Sequence, residues 1–311
     1  MAEILPPEPW TGRSDPEDGP NALRLHHRAG ADGARVALLG FACDEGVRRN
    51  KGRPGAAEGP SALRAAMAGL AVPAGWPGFA DLGDVGVTGS DLADGQAAMA
   101  RRIAEGLVRH DRAVVLGGGH ETAFASWGGL RRARAGRIGI VNIDAHLDIR
   151  NPGAEGASSG TPFAQIRAED PEGFDYLVLG LSEEANTQAL RERAAEWSVG
   201  VVADRALQSG AEPARAAVEA LCARVDQVYL TLDLDVLPHA VMPAVSAPAG
   251  RGVPLHVVEA LIDMVFDCAP TVPVADMVEF SPRLDPSGCA ARSAALLGRR
   301  LLLGRGDSRQ D

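Results

Sequence analysis

The stretch "RIGIVNIDAHLDIR", residues 137–150, runs apolar from Ile138 to Ile143 but for Asn142 and then closes on Asp144, His146, Asp148 and Arg150. A run that is apolar on both faces suits a strand buried on both sides, the pattern of a parallel sheet covered by helices. Its charged finish marks the carboxyl end of the strand, where ligands gather in open α/β sheets.

Further runs of the same kind follow at 35–41, 113–119, 176–181, 199–204, 228–235 and 272–280. Helical patterns lie between them, near 60–70, 90–110, 121–134, 187–196, 211–225, 255–267 and 288–303. Parallel neighbours need a crossover, so apolar strands separated by helices imply an α/β domain with a doubly wound, mostly parallel sheet. Ser90 or Asp91 is placed to cap the helix near 90–110. Residues 1–34, rich in Pro, Gly and acidic groups, read as an irregular segment ahead of the first strand. With no long linker or repeat, residues 35–311 are expected to form a single catalytic domain.

Composition narrows the function. A formal charge of −10 and a pI near 5.2 argue against nucleic acid as a partner, because a phosphate backbone is bound by clustered Lys and Arg. No apolar run approaches a membrane span, and the N-terminal residues lack the basic-then-apolar order of a secretory signal, so a cytoplasmic protein without a membrane partner is expected. Cys43, Cys222, Cys268 and Cys289 lack C-x-x-C spacing and read as reduced thiols.

The polar ends of the strands carry the chemistry. "VLGGGHE" delivers His120, "NIDAHLD" delivers Asp144, His146 and Asp148, "LTLDLDV" delivers Asp233 and Asp235, and "DMVEF" delivers Glu279. If extended geometry persists, alternation aims Asp144, His146 and Asp148 to one side, and likewise Asp233 and Asp235. Carboxylates held together raise one another's pKa unless cations neutralise them. Two imidazoles and four carboxylates suit two bridged cations better than one tetrahedral zinc, and the absence of thiolate favours Mn²⁺, with Fe²⁺, Co²⁺ and Zn²⁺ left open. Two such cations would activate a water as nucleophile near neutral pH.

The succession G-G-x-H, D-A-H-x-D, D-x-D and a later V-E resembles the ureohydrolases, the family of arginase and agmatinase, over residues 35–303. That resemblance implies a three-layer α/β/α fold with two Mn²⁺ ions per subunit at the carboxyl edge of the sheet. It implies that His120 and Asp148 hold one ion, His146 and Asp235 the other, and that Asp144 and Asp233 are shared. It also gives Glu279 the role of binding the N–H groups of a cationic amidine or guanidine. Asp148 becomes the proton shuttle to the departing amine. Symmetric homo-oligomers are common in this family.

The surround selects the substrate. Arg150 follows Asp148, and "GVRRNKGRPGA" (46–56) adds Arg48, Arg49, Asn50, Lys51 and Arg53. Arginine grips carboxylates through paired hydrogen bonds, so an acidic amidine is expected and a cationic diamine disfavoured. Arg150, Asn50, Arg48, Ser159 and Thr161 are the candidate substrate contacts. "GGGHE", "DAHLDIR", "SSGTPF" (158–163), "LTLDLDVLP" and the N-terminal "WTGR" resemble the formimidoylglutamase branch, which implies hydrolysis of N-formimidoyl-L-glutamate in histidine breakdown. Where arginases place a proton-shuttling His-Gly, this chain has Ser159-Gly160-Thr161, so arginase activity is expected to be poor unless another group transfers the proton. Another guanidino-acid hydrolase, arginase or guanidinobutyrase-like, is the alternative. A metal-bound scaffold without turnover is the reading from a different class.

Overall fold

The computed structural model describes residues 1–304, so the last seven residues of the expected 35–311 domain lie outside the described residues. The strands are β1 (Ala2–Leu5), β2 (Val36–Ala42), β3 (Ala80–Val87), β4 (Arg112–Leu116), β5 (Ile138–Ile143), β6 (Asp175–Leu181), β7 (Gly200–Ala203), β8 (Gln227–Asp233) and β9 (Val274–Val278). The helices are α1 (Glu45–Arg49), α2 (Gly59–Met67), α3 (Leu92–Arg109), α4 (Thr122–Ala133), α5 (Pro162–Glu169), α6 (Gln188–Glu196), α7 (Arg215–Cys222), α8 (Leu255–Cys268) and α9 (Cys289–Leu303). One nine-stranded sheet has the order β1-β3-β2-β4-β9-β8-β5-β6-β7. Every pairing is parallel except β1 with β3.

Alternation within the strands builds two cores. On one face Leu38, Leu116, Ile143, Leu230 and Met277 pack with Leu63 and Met67 of α2, Val218 and Leu221 of α7, Leu261 and Ile262 of α8, and Leu297 and Leu301 of α9. On the other, Leu39, Val115, Ile140, Tyr229 and Val274 pack with Met99 and Ile103 of α3, Trp127 and Leu130 of α4, Phe163 and Ile166 of α5, and Leu190 of α6. Each fully buried aliphatic side chain stabilises the fold by roughly 1.5–3 kcal/mol, and these two cores make the architecture three-layer α/β/α. The expected cap of α3 is Asp91, whose carboxylate accepts the Asp94 N–H at 3.2 Å.

Residues 1–34 depart from the irregular reading. Ala2–Leu5 pair antiparallel with β3, turns of 3-10 helix span Pro16–Asp18 and Leu25–Arg28, and Leu25 is buried. Trp10 packs edge-on against Phe79 and donates its indole N–H to Asp81 at 2.8 Å, so it closes the core beside α2.

Candidate metal centre

Each element of the centre begins where a strand stops. After β4, Gly117–Gly119 turn the chain to His120 just before α4. A side chain at Gly118 would place its Cβ 1.7 Å from the Cys43 carbonyl oxygen, so only glycine lets this turn pass so close to the end of β2. The extended geometry expected through "NIDAHLD" does not persist: β5 ends at Ile143, and Asp148 has a left-handed φ of 46°. Convergence therefore comes from a loop, and Arg150 is not brought in by strand alternation.

Three groups unnamed in the sequence reading shape that loop. The buried Asn186 accepts the Leu147 N–H at 3.0 Å and donates to the carbonyls of Ala145 at 2.9 Å and Ser182 at 2.8 Å. Tyr176 donates to the Leu147 carbonyl at 2.9 Å, and Asn142 donates to Asp144 Oδ2 at 2.8 Å. Asn142 was legible as the residue two before Asp144 on a strand, whereas nothing in the sequence pointed to Asn186. On β8, Asp233 is the last strand residue, and a 3-10 turn over Leu234–Val236 carries Asp235.

All six expected ligands meet. His120, Asp144, Asp148 and Asp233 form one group and Asp144, His146 and Asp235 another, with the ligand atoms of each within 4.8 Å of one another. Asp144 lies in both groups. Asp233 joins the first group alone, its Oδ1 accepting the Asp235 N–H at 2.8 Å.

The donor set fits a pair of divalent cations. His120 Nδ1 has carboxylate oxygens of Asp148, Asp233 and Asp144 at 3.0, 3.1 and 3.2 Å, yet it is buried without a hydrogen bond of normal geometry. One ring nitrogen cannot donate to three carboxylates, so such convergence is a coordination pattern. Its Nε2 lies 3.1 Å from Thr231 Oγ1, a partner that orients the ring. His146 Nδ1 lies 3.0 Å from Asp235 and 3.6 Å from Asp144.

The electrostatics agree. Burial, then Asp235 and Asp144, push the Asp233 carboxyl well up, while burial and Asp144 raise Asp235 to about 6 against the opposing pull of His146. Both imidazoles are raised despite burial, His120 chiefly by Asp144, Asp148 and Asp233, and His146 by Asp235 and Asp144. Acidic groups that repel one another this strongly are relieved by cations, and nitrogen with oxygen donors and no thiolate suits Mn²⁺.

Glu279 follows β9 in a left-handed conformation, φ 67°, with Oε1 accepting the His120 N–H at 2.9 Å. Burial, with Asp233 and Glu121, raises its carboxyl well above the ordinary range, so a cationic substrate group would be favoured beside it. Among the six ligand side chains, Asp148 and His146 keep 14% and 22% exposure and mark the open side of the cluster. A cavity of about 340 Å³ flanks His146, lined by Ser182, Glu184 and the 247–250 segment.

The arginine-rich loop is used differently from the sequence expectation. Arg48 is paired with Glu45 at 2.7 Å and with Glu155, so this candidate contact is already occupied within the chain. Arg49 binds Glu45 at 2.8 Å and the Ser90 carbonyl, and Arg53 binds the carbonyls of Val245 and Ser246. Thr161 accepts the Ser158 N–H at 2.9 Å and has the Ser158 carbonyl at 3.0 Å, so its hydroxyl serves the turn before α5. Ser159 is buried in the same turn. Arg150 is exposed and has no ion pair among the described residues. A Cβ built on Gly160 would meet Arg150 Cδ at 2.8 Å and Asn50 Oδ1 at 3.0 Å, so Arg150 and Asn50 flank one glycine.

Comparison with known proteins follows the same line. The model of the arginase family matches residues 34–304. A formimidoylglutamase of Aeromonas hydrophila is 48% identical over 305 residues, covering 94% of this chain and 96% of the relative. One of Citrobacter koseri is 45% identical, covering 96% and 97%. The solved structure of Trypanosoma cruzi formiminoglutamase with two Mn²⁺ superposes with a TM-score of 0.80 at 26% identity, covering 91% of this chain and 98% of that one. Formimidoylglutamase from Bacillus subtilis shares the fold at a TM-score of 0.82 and 20% identity, covering 96% and 97%.

Proposed function

The chain belongs to the arginase family, and from that premise we propose that it is a dinuclear manganese hydrolase that cleaves N-formimidoyl-L-glutamate with water to L-glutamate and formamide. The observation that carries the reading is the meeting of all six ligands beside the buried carboxylate of Glu279. His120, Asp144, Asp148 and Asp233 would hold one ion, and Asp144, His146 and Asp235 the other. When bound, the ions lower the pKa of a water so that it is a nucleophile near neutral pH.

The chain's own groups do the rest. Glu279 receives the N–H groups of the cationic amidine and turns its carbon towards the cluster. Asp148, on the open side, takes the proton released as water attacks that carbon. It returns the proton to the glutamate nitrogen as the C–N bond breaks. Arg150, unpaired beside Asn50, grips a substrate carboxylate. Ser159, in the buried turn beside Gly160, is the further candidate contact.

Steady-state assays decide between substrates. A kcat/KM for N-formimidoyl-L-glutamate above those for L-arginine and guanidinobutyrate is expected; the reverse order would favour the guanidino-acid alternative. Two bound manganese ions without turnover of any amidine would favour the scaffold.

We further propose that the enzyme acts in the cytoplasm, in histidine breakdown, as a homo-oligomer without a nucleic-acid partner, and that the described residues from 35 to 304 form one catalytic domain. The net charge of −10 supports the exclusion of nucleic acid. Among the described residues no helix is long and apolar enough to cross a membrane.

A further inference from the structure

Glu121, the neighbour of His120, is a fully buried carboxylate that the hydrolytic steps do not use. Its Oε1 accepts the Gly46 backbone N–H at 2.8 Å and the Cys43 thiol at 3.5 Å, while Oε2 has no hydrogen-bond partner among the described residues. Burying a carboxyl with so few partners is costly, so its retention calls for something gained elsewhere. What it holds is the first turn of α1. Gly119 donates to the Cys43 carbonyl at 3.0 Å, and a Cβ at Gly46 would lie 2.4 Å from Glu121 Cδ, so the loop after β2 rests directly on this side chain. From there the grip passes along the chain, because the Gly46 carbonyl accepts the Asn50 N–H at 2.9 Å. Asn50 Oδ1 in turn faces Gly160 next to Arg150.

Resting on the reading that Arg150 and Asn50 meet the substrate, we propose that Glu121 is a positioning residue for substrate specificity. Acting through Gly46 and α1, it sets Asn50 opposite Arg150, so that a substrate carboxylate is held from two sides. Support of His120 alone is the competing role, and the two separate in kinetics. A residue that positions the pocket wall moves KM; one that supports the metal ligand moves manganese content and kcat.

The test is steady-state kinetics of the manganese-loaded full chain on N-formimidoyl-L-glutamate. Glu121→Ala is expected to raise KM by about tenfold, the worth of one hydrogen bond to a charged group, with kcat little changed and manganese retained. Glu121→Gln, whose amide oxygen still accepts the Gly46 N–H, is expected to return KM close to wild type. Placed on Asn50→Ala, Glu121→Ala is expected to add nothing further to KM. A fully additive KM effect, or lost manganese with unchanged KM, overturns the proposal. Should Glu121→Ala fail to fold, Gly46→Ala provides the same displacement from the other side, and an unchanged KM there also overturns it. Failure of the wild type on this substrate overturns the functional reading as well, whereas loss of the KM effect alone overturns only the positioning role.

Discussion

The acidic cluster at the ends of β4, β5 and β8 and the arginine-rich loop after β2 lie near one another but treat charge in opposite ways. In the cluster, Asp144, Asp148, Asp233 and Asp235 have two imidazoles as near partners, and burial with mutual repulsion drives Asp233 and Asp235 upward. In the loop, Arg48 and Arg49 are answered by Glu45, and Arg53 by backbone carbonyls. A chain that neutralises its own loop arginines could have done so for its carboxylates. The cluster is left acidic because its countercharge comes from outside. Across from that loop, in the connection after β5, Arg150 has no ion pair among the described residues.

Removing a shared ligand should break this contrast most severely. Asp144→Ala is expected to lose manganese, measured by metal analysis, and to lower kcat/KM by more than the roughly 10–100-fold that loss of a mere supporting partner costs. Next comes Glu279→Gln, which keeps the shape but removes the charge facing the amidine. A fall in kcat/KM of about 100-fold is expected, within the 2–5 kcal/mol typical of an unpaired buried charge, with manganese retained.

The arginines sharpen the comparison further. Arg150→Ala is expected to cost about 10–100-fold in kcat/KM for the dicarboxylate, the worth of a charge-assisted hydrogen bond, and to reduce the preference over uncharged amidines. Arg48→Ala should change the same constant by less than about fivefold, since a half-exposed internal ion pair contributes at most about 1 kcal/mol. Equal effects of the two substitutions would dissolve the distinction between paired and unpaired arginines.

The smallest effect concerns pH. Arg48 and Arg49 lower the Glu45 carboxyl to about 2 against the opposing effect of burial. A depressed acid stabilises the fold above its unfolded pKa, near 4.5 for Glu45, and that stabilisation is lost as pH falls towards 2. Chemical denaturation across pH 2–5 is expected to show a shallower loss of stability for Glu45→Gln than for wild type.

Legibility in the sequence followed the same division between chemistry and context. The long apolar strands and all six residues of the cluster could be picked out directly, because continuous apolar runs and charged strand ends are strong local signals. β3, "ADLGDVGV", escaped because its Asp and Gly are depleted in strands, and its place depends on pairing with β1 and β2. α1 is only five residues long and is held by contacts with the turn after β4. The internal pairing of the loop arginines was illegible for a related reason. Arg48 finds Glu155 across 107 positions, and no local pattern announces such a pairing. Asn186 likewise reaches its partners at Ala145 and Leu147 only through the fold.

With two manganese ions held by this cluster, the chain would hydrolyse an acidic amidine. Metal-free protein titrated with Mn²⁺ while formamide release from N-formimidoyl-L-glutamate is followed tests it most directly. Activity is expected to rise from none and level off at two equivalents per chain, one for each ligand group. Full activity in the metal-free protein, or a plateau at a single equivalent, would contradict it.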